Sequence, residues 1–454
     1  MEKTEKFLTP DYEKQHWWES YADALGVEYR QCVEEGLDVA EYENLIECVR
    51  TMKKDEHREA MAHHIFAILS NAPTVPDYPY SEPSDLDGIR GARQGGIAKF
   101  AVPQNIRERI RGAWYGRICG CLLGKTVEGI RTEELDVLLK LSGNYPMHRY
   151  ILSTDVSQNM LDTFKFDLSH RCYADKIENA PADDDTNYTV LYQLIVDRCS
   201  RDFTPDDVAS MWLSRQTKNA YCTAERVAYC NFVRGFAPPA SAKYENAFRE
   251  WIGAQIRGDY FGYINPGDPE AAADMAWRDA CISHVKNGIY GEMFAAALIA
   301  SAAVEDDMVK IILSALAQIP QKSRLHAAIE HIIQMYKDGV SGEDALADVH
   351  ARWDEHNGHD WCHTISNAEI VAICLLYGGG DYGKSICMAV QTGFDTDCNG
   401  ATVGSVLGMK NGISSIGDEW TAPIKGKLDT AVSGIGTVEI DALIEKTLVH
   451  ISEK

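Results

Sequence analysis

The chain has 454 residues and a formal net charge of −24 at pH 7. This acidic balance excludes non-specific binding to nucleic acid and docking on anionic membranes, because both need a basic surface. The length is enough to bury a large core, either as one large helical domain or as two or three domains.

The cysteines and the first residues predict a cytoplasmic protein. The chain has 13 cysteines, an odd number, and no Cys-x-x-Cys pair, which is typical of reduced thiols rather than of a disulfide framework. Residues 1–6 contain no apolar segment of the kind that a signal peptide needs. No apolar run reaches the ~18 residues that a membrane span requires. We therefore expect neither a membrane nor a nucleic acid as partner.

The first hundred residues are predicted to form an N-terminal helical extension. Residues 10–72 have a broken apolar periodicity typical of helices. Between residues 72 and 96, prolines and glycines are frequent enough to predict a long irregular connector. We therefore divide the chain into residues 1–100, the extension with its connector, and residues 101–454, the body. Tyr78 and Tyr80 favour packing of the connector on the body.

The body begins with a helix that carries a stripe of glycines. They repeat every four residues, at Gly112, Gly116, Gly120 and Gly124. Residues at this spacing share one helix face, and each glycine costs about 1 kcal/mol relative to alanine in a helix interior. Such a face is useful only where another helix or a ligand comes close. Glu128 follows the stripe and leaves a carboxylate at the end of the helix.

Three successive carboxylates open a later apolar helix, at Asp183, Asp184 and Asp185. One of them would serve as a helix cap. Three together repel one another, and a bound cation would remove that repulsion. An exposed acidic turn is the simpler alternative, but the apolar residues 191–196 that follow favour a position at the edge of the core.

A second pair of carboxylates, Asp395 and Asp397, precedes a second glycine stripe at residues 400, 404 and 408. The two striped helices are therefore candidates to pack on each other. A helix cap explains only one of the two carboxylates. A calcium loop is excluded, because its twelfth position is Val406 instead of a glutamate. A phosphatase-type Asp-x-Asp nucleophile stays open and would require a buried strand before it.

Several histidines lie further along the chain, at His356, His359 and His363, beside Cys362. Together they could bind zinc, but their spacing matches no structural zinc pattern. We favour a loop that leads into a helix over residues 367–376 and whose edge approaches the acidic residues.

The ordered combination of the glycine stripe with Glu128, the Asp-Asp-Asp-Thr run at 183–186 and Gly-Phe-Asp-Thr-Asp at 393–397 resembles the ADP-ribosylglycohydrolase family. The resemblance covers about residues 106–454. It implies an all-α fold, a large orthogonal bundle of many helices around a binuclear Mg²⁺ or Mn²⁺ site. It also implies hydrolysis of the bond between ribose C1 and an acceptor, in an ADP-ribosylated small molecule or protein.

The resemblance also implies roles for individual residues. The expected metal ligands are Asp183, Asp184, Asp185, Asp395 and Asp397. The expected catalytic residues are Glu128 and Asp185, and Glu128 and His284 are expected to bind substrate. Asn265 is a further candidate for substrate binding from its own loop, because aromatics beside Gly, Asn and Arg suit a nucleotide pocket, with plain loop packing as the alternative. This chain departs from the family pattern at Cys121 in place of Asp, at Asp183 in place of Thr, at Phe394 in place of Gly and at Cys398 in place of Thr.

These departures leave three hypotheses open. The first is a metal-dependent hydrolase that cleaves an N- or O-glycosidic bond of an ADP-ribosyl or related ribosyl substrate. The second is a non-catalytic ADP-ribose-binding or structural protein on the same scaffold. The third is a metal-dependent phosphohydrolase, favoured only by a parallel sheet. Since thiols are poor ligands for magnesium, we expect Cys398 to point away from the metal and a water to replace it.

Overall fold

The computed structural model describes residues 10–453, and its regular structure is almost entirely helical. The α-helices are α1 Tyr21–Glu34, α2 Glu43–Arg50, α3 Glu56–Leu69, α4 Leu86–Ala92, α5 Ile106–Lys125, α6 Thr132–Leu141, α7 Gln158–Thr163, α8 Asp184–Cys199, α9 Pro205–Arg215, α10 Thr223–Val233, α11 Asp259–Ile264, α12 Pro269–Ala280, α13 Lys286–Ala302, α14 Met308–Leu316, α15 Arg324–Lys337, α16 Gly342–Arg352, α17 Gly358–Cys362, α18 Thr364–Tyr377, α19 Tyr382–Gln391, α20 Thr396–Asn411, α21 Asp418–Thr421 and α22 Ile440–Ser452. Short 3-10 helices lie at Trp17–Glu19, Ala40–Tyr42, Ser153–Asp155, Lys218–Ala220, Ala240–Ala242, Gln255–Arg257, Ile413–Ser415 and Ala422–Ile424.

The all-α prediction is confirmed. The sheet found in residues 10–453 has two short antiparallel strands, β1 Lys427–Leu428 and β2 Val438–Glu439. The described part of the chain therefore lacks the parallel sheet that a phosphohydrolase of the Asp-x-Asp type would need. In the same part of the chain, no helix combines the length and the apolar character that a bilayer span requires.

The centre of the body is an antiparallel pair formed by α5 and α20, which meet through their glycine stripes. A Cβ added at Gly120 would lie 2.0 Å from the backbone oxygen of Gly400, and one at Gly116 would lie 2.2 Å from that of Gly404. Side chains larger than hydrogen cannot occupy this interface. The prediction that the two striped helices pack on each other is confirmed. The pairing brings the first turn of α20 to the last turn of α5, because Thr396 Oγ1 donates to the Gly124 backbone oxygen at 2.9 Å.

The remaining core surrounds this pair. Every residue of α13 after Lys286 is buried, as expected for a helix that is apolar on all sides. Arg257 is also buried and binds three carboxylates, with 2.6 Å to Asp279, 2.8 Å to Glu225 and 3.5 Å to Glu292. Its position inside the core depends on this complete pairing, since an unpaired buried charge is very costly.

The N-terminal helices α1–α3 share a small apolar core of their own and dock on the body through a polar face of α1. The Arg249 guanidinium binds Glu28 at 2.8 Å and Glu35 at 2.7 Å. Gln31 Nε2 donates to the buried carboxylate of Glu250 at 2.7 Å. Removal of one partner from a buried ion pair typically costs about 3–5 kcal/mol, so α1 and the body depend on each other for stability.

The connector between α3 and α5 also lies against the rest of the chain. Tyr78 donates its hydroxyl proton to the backbone oxygen of Glu34 at 2.7 Å. Further along, the Glu82 carboxylate accepts hydrogen bonds from Arg324 at 2.8 Å and from Asn287 Nδ2 at 2.8 Å. The expectation that the connector packs on the body is therefore confirmed.

Candidate metal centre

Two helix starts, from distant parts of the sequence, place carboxylates side by side. Asp183 is the N-cap of α8, and its Oδ1 accepts the backbone N–H of Asp185 at 2.9 Å. Asp395 occupies the N-cap position of α20, and Asp397 lies in the first turn. The N-terminal end of a helix carries a partial positive charge, which favours anionic side chains. The two helix N-termini thus reduce the electrostatic repulsion among these carboxylates, but their partial charges do not neutralise it.

The acidic cluster consists of Asp183, Asp184, Asp185 and Asp397. One potential ligand atom from each of these residues lies within 4.8 Å of the others. Asp395 lies outside this group of four, although it is buried and lies against Asp397. A separation of this size suits oxygen ligands arranged around divalent cations. The geometry therefore brings together four of the five residues predicted to bind metal and leaves the fifth beside them.

Two oxygens of the acidic cluster are buried without a hydrogen-bond partner. They are Asp185 Oδ2 and Asp397 Oδ1, and the parent side chains are 0% and 3% exposed. Burial and the neighbouring carboxylates raise the pKa of Asp397 well above its ordinary value, and burial above all raises that of Asp185. Buried polar groups almost always have a partner. Two unpartnered oxygens within one acidic cluster fit residues that bind a cation.

Two basic side chains reach the acidic cluster, and the sequence reasoning overlooked both. Arg117 is fully buried and binds Asp185 Oδ1 at 2.9 Å and Asp259 Oδ1 at 2.9 Å. Lys125 Nζ binds Asp183 Oδ2 at 2.6 Å. Both carboxylate oxygens of Asp183 are therefore already engaged, one by Lys125 and one by the backbone N–H described above. The position of Lys125, one residue after the last glycine of the stripe, was the available signal for this contact.

Glu128 lies just past the end of α5 and is partly exposed. Burial, together with the charges of Asp395 and Asp183, raises the pKa of Glu128 to about 7. A carboxylic acid with a pKa near neutrality is suited to accept and donate protons. Glu128 thus lies at the edge of the acidic cluster with the properties of a general acid or base.

Two thiols also enter the cluster. Cys121 has its sulfur within 4.8 Å of oxygens of Asp183 and Asp185, and Cys398 is placed equally close to oxygens of Asp185 and Asp397. Both side chains are buried. The expectation that Cys398 points away from the carboxylates is wrong. In the first turn of α20, the face with Thr396 and Gly400 contacts α5, and Cys398 lies on a different face, toward Asp185.

The turn before Asp395 is held in an unusual backbone conformation. Gly393 has φ 75° and Phe394 has φ 56°. The left-handed region costs a non-glycine residue about 1–2 kcal/mol. The Phe394 side chain is fully buried, with its ring 5.1 Å from that of His350, and this burial offsets the strain. The glycine expected from the family pattern is therefore replaced without loss of the turn that aims Asp395.

Asn367 fixes the same turn from the side of α18. Its Oδ1 accepts the backbone N–H of Asp395 at 3.2 Å and the side-chain amide of Asn399 at 2.8 Å. The predicted helix over residues 367–376 is observed as α18, which begins three residues earlier. Its N-terminal edge approaches the acidic residues, as the sequence predicted.

Two of the histidines that precede α18, His359 and His363, lie with Glu34 in a second group whose ligand atoms are within 4.8 Å of one another, but their hydrogen bonds disfavour a metal. Trp251 Nε1 donates to His359 Nδ1 at 3.0 Å, and a backbone N–H donates to His363 Nδ1 at 3.1 Å. A neutral imidazole has a single proton, which therefore lies on Nε2 of each ring. The Nε2 atoms face Glu34 Oε2 at 3.1 Å and 3.5 Å. Protonated nitrogens cannot bind a metal, so this group ties α1 to the body.

Two of the residues predicted to bind substrate lie in the interior. Asn265 is fully buried; its Nδ2 donates to the Phe261 backbone oxygen at 2.9 Å, and its Oδ1 accepts from Arg201. His284 is buried, with Nδ1 2.8 Å from Ser283 Oγ. The contacts found for these two side chains within residues 10–453 do not include the acidic cluster. Their assignment to the substrate stays a prediction, whereas Glu128 lies beside the carboxylates.

The chain was also compared with known proteins. The sequence model of the ADP-ribosylglycohydrolase family matches residues 102–452. Among curated proteins, the comparison finds no match. A solved structure described as an ADP-ribosylglycohydrolase-related protein complex is 16% identical, with a TM-score of 0.47, and the similarity covers 77% of this chain and 99% of that one. The family match spans well over half of the sequence, and the chain belongs to the ADP-ribosylglycohydrolase family.

Proposed function

We propose that this protein is a metal-dependent hydrolase that cleaves an N- or O-glycosidic bond at the ribose C1 of an ADP-ribosylated small molecule or protein. Membership of the family supports a glycohydrolase-type function. The observation that carries the proposal is the convergence of Asp183, Asp184, Asp185 and Asp397, with two buried oxygens that lack a partner. Arg117 binds the other oxygen of Asp185, and the two oxygens themselves have no hydrogen-bond partner within residues 10–453.

The residues present fit divalent cations of the Mg²⁺ or Mn²⁺ class, and we propose two of them. Asp184, Asp185, Asp395 and Asp397 would hold these ions, and Asp183, already bound to Lys125, would support them from the side. When bound, the ions would orient the ribose hydroxyls and activate a water. Arg117 holds Asp185 in place through Oδ1 and leaves Oδ2 free to bind.

Glu128 is proposed to move the proton. Its carboxylate lies next to Asp395 and Asp183, which by their charge favour its protonated form. In the proposed reaction it takes the proton of the attacking water, or gives one to the departing acceptor, at a carboxylate oxygen. Asp185 would orient the reacting groups through its free oxygen. Such proton transfer usually contributes about 10²–10⁴-fold to the rate.

The Glu128→Gln variant tests this role. We expect kcat to fall by about 10²-fold or more, with divalent-metal binding retained, because the amide keeps the size of the side chain and removes its ability to titrate. Turnover is measured on substrates that carry ADP-ribose on arginine, on serine and on small acyl acceptors. The matched control is Glu133→Gln, which changes an exposed carboxylate on the following helix, α6.

Two outcomes would count against the proposal. Full activity in Glu128→Gln would remove Glu128 from the reaction. Metal binding by the wild type without turnover of any substrate would favour the second hypothesis, a non-catalytic protein that binds ADP-ribose. The structural observation that favours this second hypothesis is the ion pair between Lys125 and Asp183 at 2.6 Å. A lysine bound to a potential metal ligand competes with the metal for that ligand.

A further inference from the structure

The acidic cluster has few ligand atoms that are still free. Lys125 and a backbone N–H occupy both oxygens of Asp183, and Arg117 occupies Asp185 Oδ1. Among the fully buried oxygens of the cluster, Asp185 Oδ2 and Asp397 Oδ1 have no hydrogen-bond partner in residues 10–453, and the half-buried Asp184 adds its own carboxylate. A cation held between α8 and α20 would therefore bind both buried oxygens.

The third atom at this position is a sulfur. Cys398 Sγ lies within 4.8 Å of an oxygen of Asp185 and of an oxygen of Asp397, and the side chain is only 5% exposed. The thiol also lies against Asp395. As a thiol, Cys398 gives Asp185 and Asp395 only weak hydrogen bonds. It is, however, a strong ligand for borderline and soft metal ions once it loses its proton.

We propose that the position enclosed by Asp185, Asp397 and Cys398 holds a borderline divalent transition ion, such as Zn²⁺ or Co²⁺, through two carboxylates and one thiolate. The proton of Cys398 passes to solvent as the metal–sulfur bond forms. Three protein ligands with a free fourth position are typical of catalytic zinc, whereas magnesium prefers oxygen ligands throughout. This inference rests on the proposed function and changes it at one position: one of the two proposed ions is of the Zn²⁺ or Co²⁺ class, and the Mg²⁺ or Mn²⁺ class stays the expectation for the other.

Cys121, the other thiol of the acidic cluster, is less favourably placed to bind a cation. Cys121 shares its position with Asp183 and Asp185. The ammonium group of Lys125 lies 2.6 Å from Asp183 Oδ2, and its charge repels a cation at that side. The position beside Cys398 has the two unpartnered oxygens, and Lys125 makes its ion pair with Asp183 instead of with Asp185 or Asp397; both features favour Cys398. Cys121 thus offers a matched control, a buried thiol in the same cluster with a different expected result.

Cobalt provides a direct spectroscopic test on the full chain. Metal-free protein is titrated with Co²⁺, and thiolate ligation is detected as a sulfur-to-cobalt charge-transfer band in the near ultraviolet. We expect the band in the wild type and in Cys121→Ser, and we expect its loss in Cys398→Thr. Equilibrium dialysis with Zn²⁺ should show affinity about tenfold weaker or more in Cys398→Thr than in the wild type, with Mg²⁺ affinity retained or raised.

The outcomes separate this inference from the proposed function. Stoichiometric Co²⁺ without the band in the wild type, or a band that survives Cys398→Thr and is lost in Cys121→Ser, would overturn the inference and leave the hydrolase proposal intact. Absence of any bound divalent metal in the wild type would overturn both. Circular dichroism of the variants shows that each retains its helical fold, so that loss of the band reports on the ligand.

Discussion

The Asp397→Asn variant is expected to lose divalent-metal binding and hydrolysis and yet to be more stable than the wild type in the presence of a chelator. The carboxylate is 3% exposed, with one oxygen that has no partner and with carboxylates as neighbours. An amide removes the buried charge without changing the shape of the side chain. Because burial and the neighbouring carboxylates disfavour the ionised form of Asp397, we expect the metal-free variant to unfold at a higher denaturant concentration than the metal-free wild type.

The sign of the pH dependence follows from the direction of the pKa shift. The pKa of Asp397 is raised in the folded state, so the folded chain holds more protons than the unfolded chain at pH values between the unfolded and the folded pKa. Stability of the metal-free wild type should therefore fall as pH rises through that window. The fall should be smaller in Asp397→Asn, because one of the contributing groups no longer titrates.

Bound metal should make the wild type more stable than Asp397→Asn, the reverse of the order expected in chelator. A cation at a concentration 100 times its Kd stabilises the wild type by about 2.7 kcal/mol and the variant by much less. Denaturant unfolding with chelator and with Mn²⁺ measures both effects. Asp381→Asn is the control, because it changes the charge of an exposed N-cap on α19 and keeps the cap. A variant that binds Mn²⁺ as the wild type does would show that Asp397 is not a ligand.

The Gly120→Ala variant is expected to lose about 3 kcal/mol or more of folding stability. Its Cβ would lie 2.0 Å from the backbone oxygen of Gly400, so α5 and α20 would have to separate, and overpacking on this scale usually costs 1–3 kcal/mol and occasionally more. Separation also shifts the first turn of α20 relative to α8. Metal affinity should therefore weaken together with stability, although residue 120 touches no ligand.

Gly91→Ala is the matched control for this prediction. Gly91 lies in the last turn of α4 and has open space around its Cβ position. There alanine should be neutral or should stabilise the helix by up to about 1 kcal/mol. Urea denaturation of the two variants gives the comparison. Equal stability of Gly120→Ala and Gly91→Ala would contradict the close contact between the striped helices.

The features that the sequence predicted well are those whose physical reason is local. Glycines every four residues at Gly112 to Gly124 are costly in a helix unless a neighbour comes close, so they predicted the α5–α20 pair. Three carboxylates at the start of one helix, and two at the start of another, predicted a shared acidic site for a similar reason. In both cases the sequence pattern is destabilising in an isolated helix. The glycines become favourable through close packing of the two helices, and the carboxylates would become favourable through a bound cation.

The features that the sequence did not predict depend on partners from elsewhere in the chain. Arginine and lysine usually lie at the surface, and nothing near Arg117 in the sequence identifies Asp185 as its partner; for Lys125, its place after the glycine stripe was the one signal. The inward direction of Cys398 depends on the packing of α20 against α5. The polar face of α1, with Glu28 and its neighbours, resembles a solvated helix face until Arg249 is placed beside it.

The central claim is that carboxylates from the starts of α8 and α20 together bind divalent cations. A crystal grown with Mn²⁺ and measured for anomalous scattering tests it most directly. We expect strong anomalous peaks within bonding distance, about 2.0–2.6 Å for such ions, of oxygens of both Asp185 and Asp397. Absence of a peak between these two residues, or manganese bound only at Glu34 with His359 and His363, would contradict it.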